Sequence, residues 1–190
     1  HGRHFLVQTA QAQALDCIAL GRKLDVVCGD RVELRLTNPD QGVIEKVLPR
    51  SSLFKRVDAY RTKAIAANAT QIAIVVAPKP SWSEELLQRC LLAAESQQLP
   101  VLIIANKADL PEHKATLEIL SLYASLGYPV IPLCAKKSVA ELAEKLHGHL
   151  TLLAGQSGMG KSTLINLILD QKIASISPRP QTTRRKQLGI

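Results

Sequence analysis

The tetrapeptide Asn106-Lys107-Ala108-Asp109 lies ahead of the octapeptide Gly155-Gln156-Ser157-Gly158-Met159-Gly160-Lys161-Ser162, and this order restricts the chain to very few folds. The octapeptide fits the Gly-x-x-x-x-Gly-Lys-[Ser/Thr] phosphate loop. In such a loop backbone N–H groups wrap the phosphates, the lysine reaches the terminal pair and the hydroxyl ligates magnesium. Gly155 and Gly160 stand where a β-carbon would block a turn with positive φ or crowd a phosphate. The flanks agree. Residues 151–154 form an apolar run suited to a buried strand, and Leu164, Ile165, Leu167 and Ile168 follow a helical period. A helix starting there aims its positive end at the same charge. Residues 155–163, Thr163 included, are therefore read as the phosphate-binding stretch, with Lys161 as the charge-stabilising residue and Ser162 as a magnesium ligand.

A phosphate loop alone does not separate ATP from GTP, whereas the tetrapeptide does. The Asp109 carboxylate can accept two hydrogen bonds, from the ring N–H and the exocyclic amine of guanine. Adenine presents no such donor pair and would leave the charge unpaired. The Lys107 stem can lie across the base, and Asn106 can tie this loop to the phosphate loop. The tetrapeptide directly follows the all-apolar run 101–105, as expected where ligands bind beyond the carboxyl ends of parallel strands. A third piece follows 130–133, another apolar run. Cys134-Ala135-Lys136 looks like the Ser-Ala-Lys turn whose backbone N–H meets the guanine carbonyl oxygen, with Cys in place of Ser.

The four cysteines, Cys17, Cys28, Cys90 and Cys134, follow neither zinc-knuckle nor disulfide-framework spacing, so a reducing, cytoplasmic setting is expected. No 18-residue apolar run and no signal peptide is present, which argues against a membrane span or export. The net charge of +8 is uneven. Residues 155–190 hold six basic and one acidic side chain and supply +5 of the excess, implying phosphate-rich partners.

Residues 1–50 follow a different period from the rest. The segments 5–9, 14–18, 31–36 and 42–48 alternate in polarity and are separated by turn residues, as expected of a small antiparallel barrel. A five-stranded, oligonucleotide-binding-type barrel that contacts RNA is the preferred form, with an SH3-like barrel as the alternative. Residues 51–63, containing Arg50's neighbours Ser51-Ser52-Leu53-Phe54-Lys55-Arg56, read as a basic junction. From residue 64 to 190 strands and helices alternate, with a capping box at Ser81 to Glu84 and helices over 84–98, 112–125 and 139–146. The fold class read from this is an α/β P-loop GTPase domain, circularly permuted, behind a small all-β barrel.

These residues resemble the circularly permuted, small-ribosomal-subunit-associated GTPases of the RsgA/YjeQ type. Cys28-Gly29-Asp30-Arg31-Val32 is similar to that family's barrel signature, Pro49-Arg50-Ser51-Ser52-Leu53 to its interdomain junction, and Ala64-Ile65-Ala66-Ala67-Asn68 to the entry of its GTPase domain. The resemblance implies binding of GTP, GDP and Mg2+, slow GTP hydrolysis stimulated by the small subunit, and a role in late subunit maturation through rRNA contacts. It also implies a monomer, and a zinc-binding C-terminal module that these residues do not include. Pro178-Arg179-Pro180-Gln181-Thr182-Thr183-Arg184-Arg185-Lys186 stands where the family's first switch usually reads Gly-Arg-Gly-Arg-His-Thr-Thr-Thr. Thr183 is assigned the magnesium-sensing, catalytic hydroxyl, with Thr182 in reserve; the missing His leaves the water-positioning role without a residue. The sequence begins at His1 and reaches Ile190 before any Asp-x-x-Gly motif, so a fragment that binds nucleotide without turning it over is expected. An ATP-using P-loop enzyme and an RNA-binding assembly module with a structural nucleotide are the rival readings.

Overall fold

The computed structural model describes residues 4–11, 13–21, 24–58 and 61–170. They form two compact units that divide between Ala69 and Thr70.

In the first unit, β1 (His4–Gln8), β2 (Ala14–Ala19), β3 (Val32–Asn38) and β4 (Gln41–Val47) make one sheet in the order β1-β2-β4-β3. Alternation places Leu15 and Cys17 of β2 inward beside Val26 and Ile44, with Phe5, Val7, Leu34 and Val47 packed around them. The unit is the all-β, oligonucleotide-binding-type element expected, but in place of a five-stranded antiparallel barrel this sheet has four strands, one pair of them parallel. β2 and β4 pair in parallel, because the chain crosses over between them and returns through the β3–β4 hairpin.

The basic junction is a second correction. Residues 53–58 and 61–67 are β5 (Leu53–Asp58) and β6 (Arg61–Ala67), an antiparallel hairpin with a bulge at Phe54/Lys55. Phe54 and Ala66 face inward while Lys55 and Lys63 face solvent, so the charges that suggested a basic junction belong to the wet face of a strand pair. An isolated bridge joins Cys28 to Ala66. The first unit therefore runs on past the residue-64 boundary.

The second unit alternates β7 (Gln71–Val76), α1 (Glu84–Glu95), β8 (Val101–Ala105), α2 (His113–Ser125), β9 (Val130–Pro132), α3 (Ala140–Leu146), β10 (Thr151–Ala154) and α4 (Lys161–Asp170). All four strands are parallel, in the order β10-β7-β8-β9. Central strands covered on both faces need apolar residues throughout, and every residue of β7 and β8 is buried. Helix α1 begins at Glu84 as expected, but its cap lies two residues beyond Ser81. Its N-cap is Ser83, whose Oγ accepts the Leu86 N–H. It also stops at Glu95, because Gln98 adopts φ +52° and cannot continue a helix. The order β10-β7-β8-β9 brings the loops after β10, β8 and β9 to one edge, at the carboxyl ends of the strands.

Candidate nucleotide-binding site

The phosphate loop leaves β10 through Gly155, where φ is +132° and a β-carbon would lie 2.3 Å from the Val75 carbonyl oxygen. It enters α4 at Lys161. The Lys161 Nζ donates to the carbonyl of Gly155 at 2.6 Å and to that of Gln156. Burial pushes this ammonium below the ordinary lysine pKa, since a half-buried cation is denied water. Ser162 occupies the next position of the helix, and Ser157, Gly158 and Thr163 are exposed. Met159 differs from the expected lining. Its side chain is fully buried in the sheet–helix core, so only its backbone is presented to the loop.

Asn106 joins three loops. It is 2% exposed, its Nδ2 donates to the Met159 carbonyl at 2.9 Å, and its Oδ1 accepts the Ala135 N–H at 3.2 Å. Within the turn expected to offer a backbone N–H to the guanine carbonyl, the Ala135 N–H is thus engaged by Asn106. The Lys107 backbone holds φ +62°, uncommon for a residue with a side chain, and its Nζ donates to the carbonyls of Gly158 at 2.7 Å and of Lys79. Asp109 receives the Cys134 thiol on Oδ1 at 3.4 Å and faces the Lys136 Nζ at 3.7 Å from Oδ2. The thiol's hydrogen bond, then its own backbone N–H and the nearby Lys136 charge, hold the Asp109 carboxyl below the usual carboxylate value. The two oxygens able to read a donor pair are therefore ionised and oriented.

Three contacts escape sequence reading. His113 is buried with Nε2 2.9 Å from the Ala105 carbonyl oxygen, so that nitrogen carries the proton and braces the residue before Asn106. Gln156 Oε1 accepts the Ser83 N–H at 2.6 Å, and Lys79 pairs with Glu112. None has a local signature, because each joins separate elements. Thr182 and Thr183 lie outside the described residues. Among the described residues no three His, Cys, Asp or Glu side chains gather as a metal group, and no helix is long and apolar enough to cross a membrane.

A four-stranded parallel sheet with phosphate, Asn-Lys-x-Asp and Cys-Ala-Lys loops on one edge defines a P-loop domain of the GTPase class, with the last two loops ahead of the first in sequence. The model of the RsgA GTPase family matches residues 47–188, and the chain belongs to that family. It is 53% identical over 181 residues to the small ribosomal subunit biogenesis GTPase RsgA of Nitrosospira multiformis, covering 93% of this chain and 58% of that protein. It is 49% identical over 184 residues to the protein of the same name from Nitrosomonas europaea, covering 93% and 59%. The crystal structure of YjeQ from Thermotoga maritima superposes with a TM-score of 0.65 at 30% identity, over 88% of this chain and 64% of that one. The chain thus spans less than two thirds of the length of these relatives.

Proposed function

We propose that this chain is the GTP-binding portion of a GTPase that acts in late maturation of the small ribosomal subunit, in the cytoplasm and as a monomer. The all-β unit would supply rRNA contacts. The observation that carries the reading is Asn106, whose two hydrogen bonds hold the phosphate, guanine and Cys-Ala-Lys loops in register. The relatives' names supply the ribosomal setting.

The residues present suit GTP and Mg2+. Among the described residues, the partners of the Lys161 ammonium are two carbonyl oxygens of its own loop, which an anionic phosphate chain replaces favourably. Ser162 would hold Mg2+, which when bound neutralises charge across the phosphates, and Thr183 is assigned the sensing hydroxyl. For zinc the described residues offer no fitting group.

Transfer of the terminal phosphoryl group to water depends on positioning and charge more than on covalent chemistry. Lys161 and the loop N–H groups place positive charge on the phosphate oxygens, and α4 points its amino end the same way. Asp109 selects guanine. The order and release of the switch with the terminal phosphate would alter affinity for the subunit.

The test is a titration of the full chain with fluorescent GTP and ATP analogues, followed by single-turnover hydrolysis of the longer protein with and without small subunits. Preferential GTP binding is expected, and equal affinity for both nucleotides refutes the guanine assignment. Hydrolysis accelerated by subunits is expected; a bound nucleotide that is never hydrolysed refutes the switch mechanism.

A further inference from the structure

The phosphate loop completes the cap of a helix on a different element. Ser83 caps α1 through its Oγ, which accepts the Leu86 N–H at 3.2 Å. In a capping box the side chain three residues on accepts the cap residue's own N–H in return. That position here is Leu86, which has no acceptor. Gln156 takes the role from the phosphate loop, 73 positions away, with its Oε1 accepting the Ser83 N–H at 2.6 Å. A backbone N–H only donates, so this bond also fixes which end of the Gln156 amide faces the helix.

The segment just before the cap is fastened as well. The Lys107 Nζ bridges the carbonyls of Lys79 and Gly158, so one cation spans the segment and the loop. A β-carbon on Gly158 would lie 2.9 Å from Pro80 Cγ and Cδ, so the ring lies flush on the loop. Lys79 in turn pairs with Glu112, just beyond the guanine tetrapeptide. Segment 79–83 is thereby attached to both loops.

We propose that segment 79–83 is a brace that holds the phosphate loop in its wrapped form, with Gln156 as its positioning residue, setting how long a guanine nucleotide is retained. The proposal rests on the guanine-nucleotide reading above. A glycine-rich loop has more conformational freedom to lose than any other backbone, and converging N–H groups bind an anion tightly only when that freedom has already been removed. The Gln156 bond and the Pro80 ring remove it at the second and fourth loop residues. Base selection rests on a separate set of residues, Asp109 with Cys134 and Lys136.

Stopped-flow dissociation of fluorescent GDP from the full chain tests this, with GTP-over-ATP selectivity and thermal unfolding measured in parallel. Gln156→Met keeps the side-chain length and removes the acceptor. Dissociation is expected to quicken about five- to tenfold, as for loss of one hydrogen bond, with selectivity unchanged. Adding Leu86→Gln to that variant gives Ser83 a local acceptor. The unfolding temperature is expected to recover while the fast dissociation persists. Recovery of both overturns the brace, because the Gln156 bond would then serve only as a helix cap. Parent-like dissociation from Gln156→Met, or a fall in selectivity, overturns it too. A parent chain that retains no fluorescent GDP overturns both the brace and the reading beneath it, which separates the two failures.

Discussion

A β-carbon on Gly160 would stand 2.3 Å from the Asn106 Nδ2, so the phosphate loop and the guanine loop fit together only because residue 160 has no side chain. The Gly160 backbone holds φ +96° as well. Gly160→Ala must therefore strain the backbone and push Asn106 off the Met159 carbonyl at once. A loss of about 2–4 kcal/mol in unfolding free energy is expected, with nucleotide affinity down roughly a hundredfold. Urea unfolding and GTP titration measure the two effects. A variant of parental stability would show that Asn106 has room to move.

What the sequence made legible were features carried by contiguous residues. The runs 71–76 and 101–105 are apolar throughout because both sheet faces are covered, and the loops after β8 and β10 are fixed strings whose chemistry is local. Features that depend on distant partners were not legible. Residues 51–63 carry Lys55, Arg56 and Lys63 and read as a basic junction, yet Leu53 pairs with Ala67 and Phe54 with Ala66. The capping box expected at Ser81 gives way to a cap at Ser83, whose N–H meets Gln156. Met159 sits inside a binding string but packs its side chain into the core.

Asn106 is buried and uses both ends of its amide, so shape-preserving replacement is not neutral. Asn106→Asp keeps an acceptor for the Ala135 N–H but sets a buried carboxylate against the Met159 carbonyl oxygen. It is expected to cost more than Asn106→Ala, which loses both bonds at about 1–3 kcal/mol for each polar group left unpaired. Thermal unfolding of the two variants gives the order. Asp more stable than Ala would mean that the carboxylate is protonated or has turned away.

Asp109 has its folded-state pKa depressed, with the Cys134 thiol as the first cause. A carboxyl of this kind contributes its ionised interactions above the ordinary value of 3.8, and they are lost as pH falls through the lower folded value. Guanine selectivity should then be flat through the neutral range and decline only at strongly acid pH. Cys134→Ala removes the leading cause, so the acid decline should move upward toward the ordinary carboxylate value. Cys134→Ser, with a stronger donor, should hold it at or below the parental position. GTP-to-ATP affinity ratios against pH measure this; identical acid limbs in the parent and Cys134→Ala would exclude the thiol as the cause.

In the first unit the Asp30 side chain is 1% exposed and Arg50 grips it with both arms of the guanidinium, Nε to Oδ1 at 2.7 Å and Nη2 to Oδ2 at 2.8 Å. Oδ2 also accepts the Val27 N–H, and Arg50 Nη2 donates to the Asp25 carbonyl. Removing the cation leaves a buried carboxylate with one neutral donor, which costs far more than the intact pair contributes. Arg50→Ala is expected to lower the stability of the first unit by about 3–5 kcal/mol. Arg50→Lys should recover only a minor part, because an ammonium cannot supply two parallel N–H groups together with a third to a carbonyl. Asp30→Asn together with Arg50→Met takes both charges out and should be milder than Arg50→Ala alone, since no buried charge is left unpaired. Denaturant unfolding of the three variants, followed by amide signals of β2 and β4, reads the order. Arg50→Lys matching the parent would show that charge alone, without the two-armed geometry, holds Asp30 in place.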